Sequence, residues 1–186
     1  MGKSRKKTCQ IFSNLNSQYD FLLKGNLLNE KEKRFFDSVT VDMDDVTATL
    51  SLYQLSLYLS RYYGKNVIIL LDEYDTPMQE AYVDGYWEEL TAFTRSLFNA
   101  TFKTNPCLER AVMTGITRVG RKSIFSDLNN LKVITTTSDK YADCFGFTEE
   151  EVFAALEEFE LPDRKQVVKR WYDGFTFGNR TDIYNP

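Results

Sequence analysis

Residues 67–75 read Val-Ile-Ile-Leu-Leu-Asp-Glu-Tyr-Asp, five aliphatic side chains in a row followed closely by three carboxylates. An apolar run of that length suits a strand covered on both faces, as in a parallel sheet. Ligands of open α/β sheets gather at the carboxyl ends of such strands, where Asp72 and Glu73 fall. An Asp there can help hold Mg²⁺, directly or through water, and a neighbouring Glu can position or deprotonate an attacking water. Successive strand residues point to opposite faces, so the two carboxylates would not duplicate one role. Aliphatic residues ending in Asp-Glu form the Walker B pattern. Acidic residues also end many buried strands simply because the chain re-enters solvent there, and the pattern alone leaves both readings open.

The next apolar run, Ala111-Val112-Met113, ends in Thr114-Gly115 and is followed by Arg118, Arg121 and Lys122. A hydroxyl at the tip of a strand beside Asp72 can contact an attacking water, and an Arg fork can neutralise developing γ-phosphate charge. Thr114 as a turn cap with three surface cations accounts for the same residues, and spacing does not decide between the two. Histidine is absent from the chain. That excludes Ser-His-Asp and Cys-His catalysis within it, along with His-based zinc chemistry. Cys9, Cys107 and Cys144 form no CxxC pair, so they read as reduced thiols rather than a zinc site or disulfide framework.

The elements that must position these groups follow from periodicity. Apolar residues at helical spacing run through 9–24, until Gly25-Asn26 breaks them. Asn29 can cap a short helix carrying Phe35 and Phe36, and Asp44-Asp45 open a longer one that ends at Gly64. The segment 85–103 is helical up to Pro106, and Lys132 to Thr136 reads as a third strand. Thr148-Glu149-Glu150-Glu151 has the capping-box spacing, Pro162-Asp163 start another short helix, and 174–184 reads as a hairpin. Helix alternating with buried strand over 44–136 predicts an α/β layer structure.

A chain of 186 residues, 42% hydrophobic and 15% aromatic, is long enough for one domain with a real core. Its net charge of −4 gives no basic face of the kind a general nucleic-acid binder presents. No apolar run is long enough to span a membrane, so a cytoplasmic location is expected. Residues 1–10 read as a flexible basic leader, 11–140 as a partial α/β core, and 141–186 as C-terminal helices and hairpin of the same domain.

Beyond about residue 10 the chain resembles the AAA-ATPase-like proteins, many of which carry a C-terminal PD-(D/E)XK nuclease-like domain. The matching stretches are GKNVIILLDEYDTPMQEAY (64–82), RSLFNATFKTNPCLERAVMTGITRVGRKSIFSDLNNLKV (95–133), YADCFGFTEEEV (141–152) and WYDGFTFGNRTDIYNP (171–186). FSNLNSQYDFLLKGNLLNEKEKRFFDSV (12–39) is similar as well. The resemblance implies a P-loop ATPase-type fold that uses ATP and Mg²⁺. Asp72 and Glu73 would be its Walker B pair, with Asp72 on the metal and Glu73 on the water, and Thr114 or Arg118 would be sensor-like. Asp75 shares the motif either as a helix-start cap or as a metal contact.

The family's phosphate loop, GKS or GKT after a strand, has no full counterpart. Gly2-Lys3-Ser4 follows only Met1, whereas the motif needs an upstream strand and a first glycine. The expected fold is therefore an incomplete P-loop NTPase-type parallel sheet flanked by helices, with a C-terminal helical segment and small hairpin. ATP binding by the chain alone is expected to be weak or absent. Another chain or segment would complete the sheet, and nucleic acid would enter only through a fused nuclease-like domain. The alternative is a non-catalytic protein-interaction module derived from a split or degenerate ATPase.

Overall fold

Side-chain caps at Asn29, Asp44 and Thr148 open helices, and two parallel strands alternate with helices along the chain. The computed structural model describes residues 3–116, 124–125, 127–128 and 130–184. They fall into two compact units, Met1–Leu131 and Lys132–Pro186.

In the first unit, α1 (Lys3–Ser17) takes up most of the segment expected to be a flexible leader. Arg5 is held there because its guanidinium donates to the Met43 carbonyl at 2.8 Å and pairs with Asp45. A short 3-10 turn, Asp20–Leu23, follows. Asn29 accepts from the Lys31 and Glu32 amides while Glu32 accepts from the Asn29 N–H, a reciprocal cap that opens α2 (Glu30–Ser38). Asp44 accepts from the Thr47 amide to open α3 (Asp45–Tyr63), which Gly64 closes at φ 64; only glycine adopts that conformation without steric cost.

Strand β1 (Val67–Leu71) comes next. Then α4 (Thr76–Asp84), with proline in its first turn, and α5 (Trp87–Phe98) form the connection to β2 (Leu108–Met113). A π-helical turn, Asn99–Lys103, extends α5. The helix expected over 85–103 is thus a regular helix plus a wider last turn, and α4 is an addition to the sequence reading. β1 and β2 pair in parallel, with Ile69 beside Ala111 and Leu71 beside Met113.

The parallel pair is not covered on both faces as the continuous apolar run suggested. Val67, Ile69 and Leu71 are half-buried, with Leu71 and Met113 packed on the core, whereas Ile68 is 61% and Leu70 75% exposed. Val112 on the neighbouring strand is open as well. The core on the covered side gathers Cys9, Phe12, Ala48, Met78, Leu97 and Phe98. A second cluster of Leu22, Leu28, Phe36, Leu55 and Tyr58 joins the first three helices.

In the second unit, residues 132–136 form no strand. The run is rich in threonine, and hydroxyls compete for the backbone. The Ser138 amide donates to the Thr135 carbonyl and the Thr135 amide to the Ser138 hydroxyl, which makes a turn. β3 (Phe147–Thr148) leads into α6 (Glu149–Glu158), capped by Thr148 with Glu151 reciprocating. After a 3-10 turn at Pro162–Arg164 come α7 (Lys165–Tyr172), β4 (Phe175–Phe177) and β5 (Arg180–Tyr184). β5 lies between β3 and β4, antiparallel to both. The expected hairpin is present, with β3 as a third strand. The molecule is α/β, and no described helix is long and apolar enough to cross a membrane.

Candidate functional site

The parallel pairing brings the carboxyl ends of β1 and β2 level. Backbone bonds continue one step past the strands, since the Thr114 amide donates to the Leu71 carbonyl at 2.9 Å and the Tyr74 amide to the Thr114 carbonyl at 3.0 Å. Asp72 and Thr114 are thereby set side by side although they are 42 residues apart, and the Thr114 hydroxyl donates to Asp72 Oδ1. The Glu73 amide donates to the same carboxylate oxygen at 3.1 Å and approaches Thr114 Oγ1 at 3.4 Å. One carboxylate oxygen thus accepts from two donors that belong to different strand ends, which fixes its direction.

Glu73 itself lies in the left-handed region at φ 51, a conformation that costs a non-glycine residue of order 1–2 kcal/mol. Its carboxylate makes no hydrogen bond or ion pair among the described residues. Asp72 and Glu73 are not set on opposite faces of a strand, because β1 stops at Leu71 and Glu73 sits in the turn beyond it. Asp72, Glu73 and Thr114 are all exposed.

Asp75 behaves differently. It is 1% exposed and begins α4 through its backbone, whose carbonyl accepts from the Met78 and Gln79 amides at 3.0 Å each. Its side chain makes no capping bond; Oδ2 instead accepts from Gln79 Nε2 at 3.3 Å. The carboxylate packs against Gly115, where an added Cβ would lie 2.6 Å from Asp75 Oδ1 and 2.8 Å from the Tyr74 ring. Gly115 is needed here because no side chain fits, and the sequence reading did not assign it a role. Tyr74 in turn meets Phe125 edge-on at 5.3 Å, and Phe125 stacks on Phe98. The turn that carries Asp72 and Glu73 is therefore pinned to the core on one side.

The corner offers two hard oxygen ligands, the Asp72 carboxylate and the Thr114 hydroxyl, with the Glu73 carboxylate close by in sequence. Magnesium takes one or two protein carboxylates and keeps several waters or phosphate oxygens. The donor set fits such an ion, although no group of three or more acidic or thiol ligands is assembled among the described residues. Arg118, Arg121 and Lys122 lie outside the described residues.

With this geometry in view, the chain can be placed. It belongs to the AAA-ATPase-like family: the family model described as "Predicted AAA-ATPase" matches residues 6–125, a span that includes Asp72, Glu73, Thr114 and Arg118. It is also similar to a protein of Azotobacter chroococcum mcd 1 described as an uncharacterized protein in the vnfD 5'region. The two are 31% identical over 126 residues, which make up 66% of this chain and 24% of that protein. The chain thus spans about a quarter of the relative's length. No solved structure matches it.

Proposed function

We propose that the corner formed by Asp72, Glu73 and Thr114 is the Walker B half of an ATP-hydrolysing site on a P-loop-type fold. The observation that carries this reading is the bond from the Thr114 hydroxyl to the Asp72 carboxylate across the ends of two paired parallel strands. Bound Mg·ATP would supply the electrophilic γ-phosphorus and the divalent charge that neutralises it. Asp72, oriented by Thr114 and the Glu73 amide, would hold the metal. Glu73 holds the attacking water and accepts its proton, and Thr114 helps orient that water. Arg118 is the charge-neutralising residue, following β2 closely in sequence. Strand-end carboxylates repel phosphate unless a cation bridges them, so a phosphate-binding segment or chain completes the site by pairing with the sheet.

The test is a titration of the chain with a fluorescent ATP analogue, with and without Mg²⁺. Weak binding that requires Mg²⁺ is expected, falling roughly tenfold or more in Asp72→Ala and persisting in Glu73→Gln. Binding that ignores both Mg²⁺ and Asp72 would refute the assignment.

A second reading, a non-catalytic interaction module, is favoured by the open face of Ile68, Leu70 and Val112. Parallel sheets are almost always covered on both faces. A complex that forms through this face and is indifferent to Asp72→Ala and Glu73→Gln would support that reading over the first.

A further inference from the structure

The second unit carries a groove that the ATP site does not use. Phe147, Val152, Ala155, Leu156, Phe159 and Leu161 line an apolar trough of about 410 Å³, with Glu151 at its rim. On α6 the lining positions recur every three to four residues, so they form one stripe along the helix. Phe159 stays 73% exposed and Leu161 46%, and α6 buries no residue at all.

The end of α6 shapes the trough. The Leu161 amide donates to the Leu156 carbonyl at 2.7 Å and the Glu160 amide to the Glu157 carbonyl at 3.1 Å. That is a Schellman closure, which folds Leu161 back beside Leu156. Glu160 occupies its left-handed position at φ 58, where glycine is the residue without strain.

Charge supplies the independent observation. The region 132–186 holds eleven Asp and Glu against seven Lys and Arg, so the net −4 of the whole chain resides there. Glu149, Glu150 and Glu151 suit the amino end of α6, but Glu157, Glu158 and Glu160 crowd its carboxyl end, where no basic residue offsets them within the last turn. Anions at a helix carboxyl end oppose the macrodipole. Glu157 is neutralised by Lys165, whereas Glu158 and Glu160 have no ion pair among the described residues. Acidic side chains thus stand where they weaken the helix, at the carboxyl end of an open apolar stripe.

We propose that this groove receives a basic amphipathic helix of a partner protein, with apolar anchors in the trough and Lys or Arg over Glu151, Glu158 and Glu160. Helix-in-groove recognition uses anchors at this spacing, and the rim charges select the sign of the partner.

The test uses the full chain and a fluorescein-labelled synthetic helix of leucine and lysine. Its controls are the same peptide with glutamate for lysine and a shuffled sequence. Anisotropy should show binding of the lysine peptide alone. Glu158→Lys, an exposed change, should weaken it about fivefold, and Ala155→Glu, which places a carboxylate in the trough, roughly tenfold or more. Glu160→Gly should weaken binding while raising thermal stability, a combination that a purely structural role for Glu160 would not give. Equal binding of the glutamate or shuffled peptide, or full binding by both Glu158→Lys and Ala155→Glu, would overturn the proposal. So would a dimer of the chain that Ala155→Glu abolishes, because the occupant would then be a second copy.

Discussion

Residues 1–131 and 132–186 are held together by different forces. In the first region Tyr58, Leu22, Met78 and Thr101 are almost wholly buried, and two apolar clusters tie the helices to the covered face of the parallel sheet. In the second, Ala142, Ile183 and Tyr184 are the buried hydrophobic residues among those described, while Trp171, Phe159 and Phe145 stand open. Order there comes from strand bonds, the Thr148 cap, and a lysine, Lys169, that pairs with Glu149, Asp173 and Asp182. The first region carries the strand-end corner, which needs fixed geometry. The second carries a groove, whose open apolar side chains are what a docking surface requires. Exposed ion pairs are screened by salt and apolar contacts are not screened, so the contrast can be measured.

The largest effect expected is in the first region. Phe98→Ala removes a ring that is 3% exposed and touches Phe102 and Phe125, and should cost about 3–5 kcal/mol in urea denaturation. A loss below about 1 kcal/mol would break the comparison at its root. Next is alkaline pH. Burial pushes the Tyr58 hydroxyl up to about 12, against about 10 in an unfolded chain. Because the folded value is raised, its stabilising contribution is complete below pH 10 and is lost as pH climbs toward 12, by about 1.4 kcal/mol per pH unit. Tyr58→Phe should flatten that part of the stability profile. Tyr184 in the second region is raised to about 12 as well, again mainly by burial, so some alkaline slope should survive the substitution.

Gly115→Ala comes third. The new methyl group collides with Asp75 and Tyr74, and the cost should be about 1–3 kcal/mol. The amide resonances of Asp72, Glu73 and Thr114 should shift with it, and if they stay in place Gly115 does not hold the corner. The smallest effect belongs to the second region, where Thr148→Ala should cost about 1 kcal/mol by removing the cap of α6. Raising ionic strength should speed hydrogen exchange of α6 and α7 amides more than that of amides around the buried Leu55 and Tyr58 of α3. Equal salt response in both regions would erase the distinction.

The sequence made the capped helices readable, because Asn29, Asp44 and Thr148 carry their partners within three residues. The parallel strands were equally plain from Val67-Ile68-Ile69-Leu70-Leu71 and Ala111-Val112-Met113. Coverage was not. Five consecutive aliphatics show that a strand forms but not which face meets a helix, and Ile68 and Leu70 turned out open. Val133-Ile134-Thr135-Thr136 has strand composition, yet a serine two residues on captures the backbone into a turn. The basic leader proved helical because Arg5 finds the Met43 carbonyl 38 residues away, a partner no local pattern reveals. At the corner, Asp72, Glu73 and Asp75 look alike in sequence. Their roles diverge only because Thr114 takes the first and the space above Gly115 takes the last.

Asp72, oriented by the Thr114 hydroxyl, is proposed to hold a cation at the strand-end corner. Titrating isotope-labelled chain with Mn²⁺, and reading paramagnetic broadening of its amide resonances, tests that directly. Broadening should centre on Asp72, Glu73 and Thr114, sharpen again under excess Mg²⁺, and vanish in Asp72→Asn. Broadening centred on Glu149, Asp173 and Asp182 instead, or undiminished in Asp72→Asn, would contradict it.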